Sequence, residues 1–304
     1  MTMIDLLCLG EPMVEFNQRP DGLFTQGFGG DTSNCAISAA RQGANVGYIT
    51  RIGDDQFGDE LLQLWKREGI DTYHVIRDEN QATGIYFVTH DQSGHHYQYY
   101  RKHSAAASIT SADLDETYIA QAKILHVSAI SQAISDPAAE TVRAAIDIAK
   151  KHQTRVAYDT NLRLNLWSAD KARSVVHEAM SHCDIALPSY DDATVLTGLT
   201  EPNAIVDFYL KLGAKDVVLK RGAQGVIVAN HEQRKTIPGQ PFATIDSNGA
   251  GDTFAGAFHA RLSSGDTVFD AAEYANIAAG LSTTQSGAVA AIPTNEQTQR
   301  HISL

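Results

Sequence analysis

Short apolar runs alternate along most of this chain with longer segments of helical periodicity. Residues 4–9 form the first run, which stops at Gly10 as a buried parallel strand does. Thr32 to Gln42 puts Ala36, Ile37 and Ala40 on one helix face, with Gly43 as a stop. Val46 to Ile52 is strand-like, and Asp59 to Glu68 is amphipathic up to Gly69. The pattern predicts further strands over 124–128, 155–159, 184–187, 216–220 and 225–229. It predicts helices over 111–121, 136–152, 169–182, 190–197 and 202–212, then two long ones over about 251–264 and 268–285. Repeated βα alternation implies an α/β fold: a central, mostly parallel sheet with helices on both faces.

Two stretches break this rhythm. Gly84-Ile-Tyr-Phe-Val-Thr and His96-Tyr-Gln-Tyr-Tyr-Arg alternate and are rich in aromatics, with Gln92-Ser-Gly between them, which is a hairpin signature. Together, about 12–30 and 83–102 predict a small antiparallel β lid on a single domain spanning 1–304.

Composition narrows the partners. The chain has 304 residues, 43% of them hydrophobic, enough for one large core. Its formal net charge of −12 repels nucleic acid and anionic membranes. Anionic ligands stay open, because a few local cations outweigh the mean field. No secretory pattern or membrane-length apolar run is visible, and Cys8, Cys35 and Cys183 are scattered, so a reduced cytoplasmic location is expected. The histidines, among them His95, His96, His103 and His126, show no metal-binding spacing, and zinc is not expected.

The chemistry concentrates in glycine turns. Residues 246–258 contain Gly249-Ala250-Gly251-Asp252 at the opening of a helix. Free N–H groups and the helix dipole there suit a phosphate, and a first-turn carboxylate can take a proton from a hydroxyl beside it. The same residues also fit an ordinary glycine turn with an Asp cap. Neither a Walker-type G-x-x-x-x-G-K-[ST] loop nor a protein-kinase H-R-D or D-F-G is present. A second glycine site, Gly27-Phe-Gly-Gly30, leads into Asp31, Thr32, Ser33 and Asn34. Asp31 and Asn34 carry the groups that sugar hydroxyls need, although Asp31, Thr32 or Ser33 would also serve as a plain helix cap.

Read together and in order, these segments resemble the signature regions of the ribokinase-like sugar kinases. Gly53-Asp-Asp55-Gln-Phe-Gly58 resembles that family's G-x-D-x-x-G segment, and Lys220-Arg-Gly222-Ala-Gln-Gly225 its nucleotide-side turn. Within the family the likeness is greatest to 2-keto-3-deoxygluconate kinase. It is carried by residues 27–32, Tyr86 after Thr83-Gly84, Tyr99-Tyr100-Arg101, Asp159-Thr-Asn161-Leu-Arg163 and Leu166-Trp167.

The resemblance implies an ATP-dependent kinase for the terminal hydroxyl of a keto-sugar acid. It places Gly30, Asp31, Asn34, Tyr86, Tyr99, Arg101 and Arg163 around the sugar, with Asp252 as base. Two arginines suit a carboxylate. Asn161, Ser189, Lys220, Gly222, Gly225, Gly249, Gly251 and Asn276 would line ATP. Backbone N–H groups of Gly249, Ala250, Gly251 and Asp252 would face the transferring phosphoryl group. Magnesium would accompany the nucleotide. The family's N-x-x-E reads here Ser189-Tyr-Asp-Asp192, so Asp192 would act on the metal through water. Asp246 matches a position beside a monovalent-cation site, such as one for potassium. At Gln285-Ser-Gly287 no acidic residue stands where some relatives have one. A homo-oligomer formed through the lid is expected. The alternatives are a kinase for a neutral sugar or a nucleoside, and a non-catalytic sugar or nucleotide sensor.

Overall fold

The structure is a computed structural model, and it describes residues 3–91 and 94–302. The chain begins with β1 (Ile4–Leu9), β2 (Met13–Gln18), β3 (Phe24–Gly29), α1 (Asp31–Arg41), β4 (Val46–Gly53), α2 (Gln56–Arg67) and β5 (Val75–Asp78). The hairpin β6 (Ile85–Asp91) and β7 (Gly94–Tyr100) follows, then α3 (Glu116–Ala120), β8 (Ala122–Ser128), α4 (Ala129–Ala133), α5 (Asp136–Lys151) and β9 (Arg155–Asp159). Next come α6 (Ala169–Met180), β10 (Ile185–Leu187), α7 (Tyr190–Thr197), α8 (Pro202–Leu212) and β11 (Asp216–Lys220). The chain closes with β12 (Val226–Ala229), β13 (Arg234–Ile237), α9 (Ala250–Ser263), α10 (Val268–Ser282) and α11 (Asn295–Ile302).

Nine strands form one sheet in the order β13-β12-β11-β10-β9-β8-β1-β4-β5. The seven from β11 to β5 are parallel, and β12 and β13 are added antiparallel at one edge. Alternation within each strand fills two cores. On β1, Leu7 and Leu9 pack toward α5, α6 and α8, while Leu6 and Cys8 pack toward α1, α2, α9 and α10. Both faces are therefore covered, as a parallel sheet requires. Strand β1 pairs with β4 on one side and β8 on the other, so the strand order reverses beside it. In open α/β sheets the crevice at such a reversal, beyond the carboxyl ends of the strands, is where ligands bind.

The second sheet has the order β3-β2-β6-β7. It is not wholly antiparallel as expected, because β2 and β6 run parallel. The predicted turn at Gln92 and Ser93 lies outside the described residues. The helix expected over 111–121 is instead a 3-10 turn, Ser111–Asp113, followed by the five-residue α3. Two caps in close succession, Thr110 and Asp115, each start a new turn and divide the segment. Helix α10 ends three residues earlier than the pattern suggested.

Asp55 joins the two sheets. It caps α2 by accepting from the Gly58 N–H at 2.8 Å, and it accepts from the N–H and Oγ1 of Thr83 at 2.8 and 2.9 Å. Burial pushes its carboxyl up, but these donors prevail and hold it below the usual range. The Gly53–Gly58 segment therefore anchors the entry to β6.

Candidate active site

Two helices start at the crevice, and both start without a side-chain cap. The N-cap of α1 is Gly30 at φ 97°, and that of α9 is Gly249 at φ 75°. An L side chain is strained at such angles. A Cβ on Gly30 would also run into the Glu11 carbonyl oxygen. Other helices of the body do carry side-chain caps, from Asp55, Ser135, Ser168, Ser189, Glu201 and Thr267. The capping roles open to Asp31, Thr32, Ser33 and Asp252 in the sequence are thus not taken up. At α9 the Ala250 N–H is committed to the Ser247 carbonyl at 3.2 Å, so Ala250 is not a free donor. Among the described residues, the N–H groups of Gly249, Gly251 and Asp252 accept no such commitment. Uncapped donors and a favourable dipole suit an anion there.

The first turns of these helices meet. Asn34 Nδ2 donates to Asp252 Oδ2 at 2.9 Å. Asn161 Nδ2 donates to Asp31 Oδ2 at 3.1 Å, and its own N–H to Asp159 Oδ1 at 3.1 Å. Asp31 Oδ1 and Asn34 Oδ1 are buried without a partner. Buried acceptors without a partner are costly, and these two in the first turn of α1 would suit hydroxyl donors. Asp252 is pushed up to about 7, first by burial and then by the negative charges of Asp31 and Asp159; Asn34 and Lys220 pull the other way. A carboxyl held near neutrality suits proton transfer at working pH.

Lys220 ends β11 and ion-pairs with Asp159 at the end of β9. A methyl group on Gly251 would lie 3.6 Å from its Nζ, so the ammonium stands over the α9 start. Gly222 and Gly225 form the tight turn that follows. Ser189 caps α7, and Asp192 Oδ2 accepts from the Leu162 N–H at 3.1 Å and Thr160 Oγ1 at 3.3 Å. Asp192 thereby ties α7 to the chain after β9. Asn276 lies apart from this cluster in α10 and donates to the Pro238 carbonyl at 2.9 Å. Both oxygens of Asp246 accept backbone N–H groups, from Asn248 at 2.9 Å and Gly287 at 3.0 Å. These two bonds tie the loop before α9 to the turn at Gly287.

The small sheet presents tyrosines. Tyr86 and Tyr99 stack at 5.5 Å, and Tyr97 and Tyr99 at 6.2 Å. The Tyr86 hydroxyl donates to Glu15, a nearly buried carboxylate raised by burial against that hydrogen bond. Arg101 stacks on Tyr99 at 5.3 Å but is only 7% exposed, and it is ion-paired with the fully buried Glu11. Ser104 Oγ also donates to Glu11, at 3.1 Å. The sequence suggested a surplus cation at Arg101, whereas the structure gives it a carboxylate partner. Arg163 differs: it is exposed, and among the described residues it donates to the adjacent Leu162 carbonyl at 2.9 Å. Its charge acts on Tyr97, as do those of Asp246 and Glu15. Glu11 and Glu15 were not singled out in the sequence; the segment Glu11-Pro-Met-Val-Glu15 carries no motif, and its only hint is two acids bracketing an apolar run.

Known proteins are similar to this chain in sequence and architecture. The chain is 30% identical over 311 residues to 2-dehydro-3-deoxygluconokinase of Bacillus subtilis (strain 168), covering 99% of this chain and 96% of the relative. It is equally, 30%, identical over 312 residues to probable fructokinase-5 of Arabidopsis thaliana, covering 97% and 96%. The crystal structure of fructokinase from Vibrio cholerae O395, in a form with fructose, ADP and calcium ion bound, superposes with a TM-score of 0.89 at 26% identity, covering 98% of both chains. Among the described residues no helix is long and apolar enough to cross a membrane. Residues 3–295 match the pfkB family of carbohydrate kinases, and the chain, with its ribokinase-like fold, belongs to that family.

Proposed function

We propose that this chain transfers the γ-phosphoryl group of ATP to the terminal hydroxyl of a keto-sugar acid, 2-keto-3-deoxy-D-gluconate giving its 6-phosphate. Arg163 carries the reading. Asp31, Asp159 and Asp252 gather at the crevice through Asn34 and Asn161, yet Arg163, whose charge reaches Tyr97, has no carboxylate partner among the described residues. A ligand that brings its own carboxylate would complete that cation with a charge-assisted pair. The B. subtilis relative supports the same substrate class.

In this reading the sugar hydroxyls donate to the empty Asp31 Oδ1 and Asn34 Oδ1. Asp252 accepts the proton of the attacking hydroxyl, with Asn34 fixing its orientation. The N–H groups of Gly249, Gly251 and Asp252, with Lys220, face the charge that develops on the phosphoryl group. ATP extends over Asn161, Ser189, Gly222 and Gly225, toward Asn276. Magnesium keeps much of its water when bound, so Asp192 would reach it through water. Bound there, the ion would neutralise phosphate charge. The small sheet would act as a lid that excludes water. Its exposed Phe24, Tyr97 and Tyr100 support pairing of two copies through that sheet.

A second reading, a kinase for a neutral ketohexose, is favoured by one observation: Glu11 already neutralises Arg101. The fructokinase relatives agree with it. An ATP-coupled assay across sugar acids, fructose and nucleosides separates them. Turnover with the keto-sugar acid and little with fructose supports the first reading. The reverse selectivity establishes the second, and no turnover with any acceptor would indicate a sensor.

A further inference from the structure

One cluster of reactive side chains has no part in the proposed phosphoryl transfer. Cys35 follows Asn34 in α1, His126 lies in β8, and His259 lies in α9 seven residues after Asp252. One donor atom from each falls within 4.8 Å of the others, and all three residues are buried, at 0%, 2% and 0% exposure. His126 Nδ1 and His259 Nε2 face each other at 3.1 Å. Two imidazole nitrogens at about 2.0–2.1 Å from a tetrahedral metal are separated by about 3.3 Å, so this edge is nearly preformed.

We propose that Cys35, His126 and His259 form a binding site for a soft divalent cation of the zinc class, directly behind the sugar-phosphorylation crevice. A thiolate and two imidazoles are the donors such an ion prefers. The surroundings also favour a cation, because Asp31 and Asp159 act on His126 with their negative charge. Burial, reinforced by His126, holds the His259 ring neutral, the form in which an imidazole ligates a metal. Burial also raises the Cys35 thiol, so binding must remove its proton: the thiol and the dication give a metal–thiolate bond and one proton released to solvent. The Cys8 thiol on β1 adjoins Cys35, and it or a water would complete four-coordination. The spacings, 91 and 133 residues, match no linear motif; only the packing of α1, β8 and α9 brings the donors together.

The test uses the whole chain without nucleotide. Metal-free protein is equilibrated with zinc chloride, then desalted, and bound metal is measured by plasma mass spectrometry. Cobalt(II) chloride serves as the spectroscopic probe. The expected result is one equivalent of metal per chain, a thiolate-to-cobalt charge-transfer band, and proton release on binding. In Cys35→Ala and His259→Gln the retained metal should fall at least tenfold, while Cys183→Ala should retain it. Wild-type protein that retains no metal, or cobalt without a thiolate band, overturns the proposal. So does retention that is unchanged in folded Cys35→Ala. If the variants do not fold, the wild-type stoichiometry and cobalt spectrum decide alone.

Discussion

The side-chain amide of Asn34 holds the carboxylate of Asp252 at 2.9 Å across 218 positions of sequence. One residue comes from the first helix and the other from the helix that starts the C-terminal pair. The contact orients the presumed proton acceptor and also lowers its affinity for the proton, against the burial that raises it.

Replacing that acceptor should separate turnover from stability. In Asp252→Asn, kcat should fall by about 10²–10⁴-fold, the usual range for losing a general base. Sugar and ATP affinities, measured by calorimetry, should change little. The carboxyl's raised value means that ionised Asp252 costs stability, and this cost grows as pH rises from about 4 toward 7. Asp252→Asn should therefore melt higher than wild type at pH 7.5, with the difference vanishing near pH 4. An unchanged kcat would remove Asp252 from the base role.

The pH profile follows from the same environment. Asp252 must be ionised to accept a proton, so kcat/KM should rise with pH along an acid limb displaced well above the ordinary carboxylate range. Asn34→Ala removes the hydrogen bond that opposes this displacement, and should move the limb further toward alkaline pH. A limb that stays in place would show that Asn34 does not act through Asp252.

Arg163 and Arg101 should behave differently when shortened. Arg163 is exposed, so Arg163→Ala should leave the melting temperature nearly unchanged and raise KM for a sugar acid by about 10–100-fold, the loss of about one charge-assisted pair. KM for fructose should change much less. Arg101→Ala strands a buried carboxylate at Glu11 and should cost about 3–5 kcal/mol of stability, read by chemical denaturation. Equal stability losses in the two variants would contradict these environments.

Gly256 tests the packing beneath the site. A Cβ there would overlap the Cys35 carbonyl oxygen and approach Ala39 N to 2.8 Å, where α9 crosses α1. Alanine favours a helix by about 1 kcal/mol over glycine, but overpacking costs about 1–3 kcal/mol. Gly256→Ala should therefore be net destabilising, and by parting the two helices it should lower kcat as well. A stabilised, fully active variant would mean that the helices can separate freely.

The parallel body was legible because its inner strands carry short apolar stretches, such as Leu6-Leu7-Cys8-Leu9 in β1 and Val217-Val218-Leu219 in β11. Strand β13 escaped notice because Arg234-Lys235-Thr236 is polar, as an edge strand can be, and β5 because Val75-Ile76 is only two apolar residues long. The glycine turns at Gly30 and Gly249 stood out, since backbone freedom leaves a mark in composition. Which donors they leave free did not, because that depends on what caps each helix in three dimensions. The commitment of Arg101 to Glu11 was equally hidden: the two are 90 positions apart, and a charge in sequence carries no sign of its partner.

The two helix starts at Gly30 and Gly249 carry no side-chain cap. Elsewhere serine, threonine or a carboxylate finishes a helix, while Gly249 has no side chain to do so. In the proposed reaction a phosphate group settling there would be at once a reactant and a cap. If the proposed nucleotide binds there, its occupancy would add to the folding free energy.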